Sequence, residues 1–327
     1  MNKTTLNTNG IVSICWFNNA LVDIPFCGKI YYLDGKIEDK FKYHFGSIFD
    51  SSIISDDGVY SFIYKKTGTK GLLLKNGEIL REINRSYYCA EDYEYPVCFL
   101  TRNNGETYLI HCPNGYNQID FENVETGQIL TNIAERKPSD FFHSRFEISP
   151  DNKYLLSKGW VWHPLSIITL FDIEECFKNP LLLDYSNSNP NVGTEVNTAS
   201  FISGTKILIG TSEDEELIDD ELPDILPQKS IAIWNIETNE ISKPTKLDFD
   251  FGNLFAIDEN YTWDLYKFPK LIDIASGKII FEDKELFSGD QNCSIMGYLK
   301  NQPKIAFDKK TRKVAITNKE KIEIYSK

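Results

Sequence analysis

Four histidines, His44, His111, His143 and His163, are the first side chains to weigh for chemistry. None stands at a metal-ligand interval from another histidine or a cysteine. His111 sits in an alternating apolar run and reads as a structural residue. The seven cysteines are Cys15, Cys27, Cys89, Cys98, Cys112, Cys176 and Cys293. Their number is odd, no Cys-x-x-Cys occurs, and most lie in apolar runs such as Ile14-Cys15-Trp16, so they read as free thiols of a reducing compartment. No Gly-x-Ser-x-Gly elbow and no Asp-x-Asp-x-Asp-Gly calcium loop occurs. Asp250-Phe251-Gly252 spells a kinase metal-binding triplet, but the Gly-rich and catalytic loops that would give it a role are missing. The sequence therefore predicts no catalytic residue, no cofactor and no metal.

Charge is more informative. The net charge of -13 disfavours nucleic acid and anionic membrane surfaces, since both attract basic proteins, and it favours a cationic partner. The acids concentrate in residues 212–228, where eight carboxylates and no base are interleaved with Leu217, Ile218, Leu222, Ile225 and Leu226. Such a block resists compact packing through self-repulsion, while its apolar residues suit a short docked helix or a partner.

The elements around these residues follow one recurring pattern. An alternating apolar strand, a turn and Gly-(Lys/Gln/Glu)-Ile appear as Leu72-Leu73-Leu74-Lys75-Asn76-Gly77-Glu78-Ile79 and again as Ile272-Asp273-Ile274-Ala275-Ser276-Gly277-Lys278-Ile279. Related versions occur at residues 30–37, 124–129 and 234–241. A self-similar period of roughly 40–50 residues means radially repeated β units that must stack to bury their faces. Seven strand-turn-strand starts are legible, the sharpest being Ile148-Ser149-Pro150-Asp151-Asn152-Lys153-Tyr154-Leu155. The expectation is all-β: a single β-propeller over residues 1–327 with seven four-stranded blades. The acidic insertion interrupts the fifth blade. The last repeat stops after a third strand at Ile322-Glu323-Ile324-Tyr325 while residues 2–8 are left over, so the N-terminal segment should supply the missing strand and close the ring, which removes exposed edges. Six or eight blades are the alternatives.

The fourth hairpin, the strand end Leu170-Phe171-Asp172 and Ile233-Trp234-Asn235 resemble the WD-repeat family. The likeness is to a WD-like or quinoprotein-like propeller, and it implies a protein-binding platform.

In that fold, loops joining blades and loops joining the second to the third strand emerge on one face. Three aromatic-rich loops of those types accompany the acidic insertion: residues 87–95, 140–143 and 159–164. Candidate partner-binding residues are Tyr87, Tyr88, Glu91, Asp92, Tyr93, Phe141, Phe142, Trp160 and Trp162, with Glu213, Asp214, Glu215, Glu216, Asp219 and Asp220 of the insertion. Tyrosine and tryptophan beside carboxylates suit a hot-spot surface for a basic protein. The expected function is a non-catalytic cytoplasmic binding module, in its sharpest form an acidic immunity or inhibitor protein that neutralises a basic toxin or nuclease. The alternatives are a scaffold subunit and a propeller enzyme, glycosidase-like or lactonase-like, with an axial pocket.

Overall fold

Two kinds of turn recur in the sheets, and side chains close several of each. Between first and second strands, Ser55 Oγ accepts from Tyr60 N at 2.9 Å and donates to Asp57 at 2.6 Å. Ser149, Asp151 and Tyr154 repeat this arrangement at 2.9 and 2.6 Å. Between third and fourth strands, Asn123 Oδ1 accepts from the Glu125 and Thr126 amides at 3.0 Å. Asn235 does the same for Glu237 and Thr238, and Asp273 for Ser276. Each of these turns ends on a left-handed residue, Gly127 (φ 71°), Asn239 (φ 57°) or Gly277 (φ 68°), as the geometry requires. At residues 123–129, 235–241 and 273–279 the repeated signature is thus the exit of an Asx-closed turn.

The computed structural model describes residues 1–46, 48–185, 188–211 and 226–327. They form seven antiparallel sheets in chain order. Blade 1 comprises Cys15–Phe17, Ala20–Asp23, Lys29–Tyr31 and Ile37–Asp39. Blade 2 comprises Ser51–Ile54, Tyr60–Tyr64, Lys70–Lys75 and Glu78–Asn84. Blades 3 and 4 have three regular strands each, within residues 97–123 and 147–172. A single bridge, Glu122 to Ile129 or Leu170 to Ser188, marks their outer edge. Blade 5 runs from Thr198–Phe201 to an outer strand split into Glu240–Ile241 and Thr245–Lys246. Blade 6 spans residues 254–282 and blade 7 residues 305–326. Asn2–Asn7 pairs in full register with Lys321–Ser326 as the fourth strand of blade 7. The short α-helix Ile173–Lys178 is N-capped by Asp172.

Packing closes the ring. Seven buried apolar clusters fill the seams between successive blades. The seam between blades 7 and 1 joins Leu6, Ile322 and Ile324 to Ile14, Leu21 and Tyr31. A seven-bladed β-propeller follows directly from this arrangement, with the N-terminal strand as its clasp.

Candidate partner-binding face

An eighth apolar cluster belongs to no seam. It joins Tyr93, Phe142 and Trp160, with Tyr116, Cys89 and Ile295 packed against them. Its members come from the loops that precede blades 3, 4 and 7, from the loop between the second and third strands of blade 3, and from the end of the second strand of blade 4. It therefore lies on the face predicted to carry the binding loops.

The core of this cluster is a stack. The Phe142 and Trp160 rings lie 3.8 Å apart and 6° from parallel, Tyr116 covers the assembly at 4.2 Å from Phe142, and Tyr93 meets Phe142 edge-on at 5.7 Å. Reciprocal backbone hydrogen bonds between Phe142 and Trp160, at 2.9 and 3.2 Å, lock the stack into the sheet. This requires Gly159, because a Cβ there would collide with the Phe142 carbonyl. Below it, the buried Arg85 guanidinium lies 4.4 Å from the Tyr93 ring and 4.9 Å from Tyr95. It donates to the carbonyls of Gly68, Ala90 and Tyr93 at 2.6–2.8 Å. One arginine thus fixes the backbone of the loop that carries Tyr87 and Tyr88.

On this rigid base stand exposed aromatics. Tyr87 is 84% exposed, Tyr88 43% and Trp162 45%. Tyr88 stacks on Phe142 at 5.9 Å, and Trp162 meets Phe142 edge-on at 5.3 Å. Glu91 is exposed and Asp92 half-buried beside them. Asp140 accepts from the Tyr116 hydroxyl at 2.7 Å, and burial together with this carboxylate pushes the Tyr116 phenol up to about 12.

The structure thus divides the candidate set. Tyr87, Tyr88, Glu91, Asp92 and Trp162 reach the surface, whereas Tyr93, Phe141, Phe142 and Trp160 are interior. Tyr93, Phe142 and Trp160 form the base beneath the exposed residues, and Phe141 packs against His143. Glu213, Asp214, Glu215, Glu216, Asp219 and Asp220 lie outside the described residues. The chain re-enters at Leu226, which is buried, and its carbonyl and that of Pro227 accept from Thr194 and Thr211 at 2.8 Å. The described chain thus stops and resumes between the second and third strands of blade 5.

One component was not read from the sequence. Residues 283–304, the connection before blade 7, bring Ile295 into an antiparallel bridge with Tyr93 and expose Tyr298 (63%) on the same face. The length of this connection is the one sequence signal that could have disclosed it. Ser294 also donates to the Lys158 carbonyl and accepts from Arg145 at 3.0 Å. The segment thereby lies over one end of a cavity of about 300 Å³ on the ring axis. Six blades line this cavity, through Ile14, Ser52, Glu147, Ala199, Leu254 and Ile305 among others.

Among the described residues, no three His, Cys, Asp or Glu side chains converge as a metal would require. His111 meets Glu122 at 2.9 Å and His143 meets Ser157 at 3.0 Å, both buried. All seven cysteines are free. No helix of the described residues is long and apolar enough to cross a membrane.

No family model and no curated protein matches the chain. Its fold is widespread, with 893 solved chains matching it, and that breadth ties it to no single activity. One match is a chain from the crystal structure of the mitotic checkpoint complex, at a TM-score of 0.60 and 11% identity over 99% of this chain and 90% of that one. At that identity the likeness shows the propeller fold alone.

Proposed function

We propose that this chain is a non-catalytic binding module whose aromatic face receives a basic protein, and that it acts in the cytoplasm as an inhibitor of that protein. The observation that carries the reading is the eighth cluster. It closes no seam, and Tyr88 and Trp162 rest on its Phe142 ring while remaining, with Tyr87, exposed to water. Rigid aromatic anchors lose little entropy on binding, which suits a hot spot. The net charge of -13 supplies steering toward a cation. Neutralising a toxin or nuclease requires affinity and no turnover, which these features provide. The free thiols suit a reducing compartment.

The channel carboxylates favour binding over turnover. Asp50 is paired with Lys65 at 2.5 Å, Glu94 with Lys66 at 3.3 Å and Glu147 with Lys158 at 2.7 Å. Burial pushes Glu147 up, but Lys158 and Lys309 outweigh it and its carboxyl titrates below the ordinary value. A glycosidase-type general acid needs the opposite shift. The protein of like fold in the mitotic checkpoint complex is part of an assembly, which agrees with a platform role.

The test is a paired affinity purification from the native cell, with wild type and a Tyr87→Ala/Trp162→Ala variant as baits. The expected result is one stoichiometric basic protein that survives physiological salt on the wild type and is lost from the variant. Recovery of no basic protein, or equal recovery on both baits, contradicts the proposal.

A further inference from the structure

An acidic protein would be expected to present carboxylates to its axis, yet the axial cavity is basic. Its wall carries Lys66, Arg145, Lys158, Lys304 and Lys309 against Asp50, Glu94 and Glu147. The three carboxylates are spent on Lys65, Lys66 and Lys158. Among the described residues, Arg145, Lys304 and Lys309 have no carboxylate at ion-pair distance. We propose that this cavity is a binding site for a compact phosphorylated small molecule, with Arg145, Lys304 and Lys309 as its anion-binding groups.

Three independent features support this. First, Arg145 is anchored only by neutral acceptors, Asn253 Oδ1 at 2.7 Å, Asn197 O at 2.7 Å and Ser294 Oγ at 3.0 Å. Its Nε is buried without a hydrogen-bond partner. An unpaired buried donor on a charged group is costly and recurs where a ligand completes the set. Arg145 also sits at φ 44°, a left-handed conformation that a non-glycine residue adopts at a cost and that clusters at ligand clamps.

Second, the cationic side chains reach the axis from separated places. Lys309, in the first turn of blade 7, donates to the Ile148 carbonyl of blade 4 at 3.3 Å. Lys158 bonds Glu147 and the Ala199 carbonyl of blade 5. Lys304 enters from the start of blade 7. Burial lowers the pKa of Lys304, of Lys158 and of Arg145, and it outweighs the attraction of Asp50 on Lys304 and of Glu147 on Lys158. A bound anion would reverse that strain.

Third, the volume and the rest of the wall fit a small molecule. A space of about 300 Å³ holds a phosphate group and a compact body, at the lower end of ligand pockets. Leu254, Phe255, Met296 and Phe307 supply an apolar part.

The test uses the full chain with pyrophosphate as the probe, against sodium chloride at equal ionic strength. At a hundredfold excess over Kd, pyrophosphate should raise Tm by roughly 4 °C, while the chloride control should leave it unchanged. Lys304→Met and Lys309→Met should each weaken pyrophosphate binding at least about tenfold in calorimetry, as loss of one charge-assisted contact implies. Without ligand, Lys304→Met should melt no lower than wild type, because it removes a partly buried charge that has no ion-pair partner among the described residues; a purely structural lysine would show a lower Tm. Absence of a pyrophosphate-specific shift, or wild-type affinity in both variants, overturns the proposal.

Discussion

Tyr93 and Ile295 pair as an isolated antiparallel bridge, although one precedes the third blade and the other the seventh. The amides of Met296 and Gly297 then donate to the Asp92 carbonyl at 2.7 and 3.1 Å. This strap joins remote parts of the wheel, covers one end of the axial cavity and continues the aromatic face through Tyr298. A Cβ on Gly297 would meet the Asp92 side chain at 2.6 Å and its Cα at 2.9 Å. Gly297→Ala should therefore lift the strap, with loss of about 1–3 kcal/mol and faster hydrogen exchange at the Met296 and Gly297 amides. Unchanged protection of those amides would show that the strap tolerates the methyl group and is not held by close approach.

The two tryptophans of the blade 4 hairpin should behave oppositely. Trp160 is buried in the stack with Phe142, so Trp160→Ala should cost about 3–5 kcal/mol in urea unfolding. Trp162 is half-exposed and rests on the stack by its edge. Trp162→Ala should cost under about 1 kcal/mol yet reduce partner affinity at least about tenfold if it is an anchor. Equal destabilisation by the two changes would mean that Trp162 belongs to the fold rather than to the face.

His143 makes stability fall in acid. Burial drives its pKa down from 6.5 to about 3, with the Arg136 charge assisting. The folded state thus keeps the ring neutral while the unfolded chain binds a proton below pH 6.5. Stability is complete above that value and declines as pH falls toward 3. Between pH 7 and pH 5 the contribution of this group should be roughly 2 kcal/mol. Other acid-labile groups share the decline, so the comparison is with His143→Gln, whose unfolding free energy should lose about that much less over the same interval. Parallel pH profiles would contradict the assignment.

Ring closure rests on the N-terminal strand. Leu6 is buried in the seam between blades 7 and 1, and Leu6→Ala should cost about 2–5 kcal/mol. Deletion of residues 2–7 exposes the Lys321–Ser326 edge and should broaden thermal unfolding and promote aggregation. A sharp transition at the wild-type Tm would mean that the strand is dispensable.

Much of this architecture was legible because turn chemistry is local. Asn123, Asn235 and Asp273 close their turns with their own side chains, so these three exits are visible in a single sequence, and the leftover residues 2–8 matched the incomplete last repeat. The candidate face was legible only in part. Tyr93, Phe142 and Trp160 resemble Tyr87, Tyr88 and Trp162 in type and spacing, and burial separates the two groups only after loops from blades 3, 4 and 7 meet. The basic axis was hidden for a different reason. A net charge of -13 is a sum over the whole chain, while Lys66, Arg145, Lys158 and Lys304 are far apart in sequence and converge only through the ring.

The most direct test of the aromatic face is hydrogen exchange on the complex purified from native cells with the wild-type chain. The account predicts protection in residues 86–94, 162–164 and 296–300, and little change in the opposite turns at residues 55–60, 102–106 and 149–154. Protection confined to those opposite turns would contradict it.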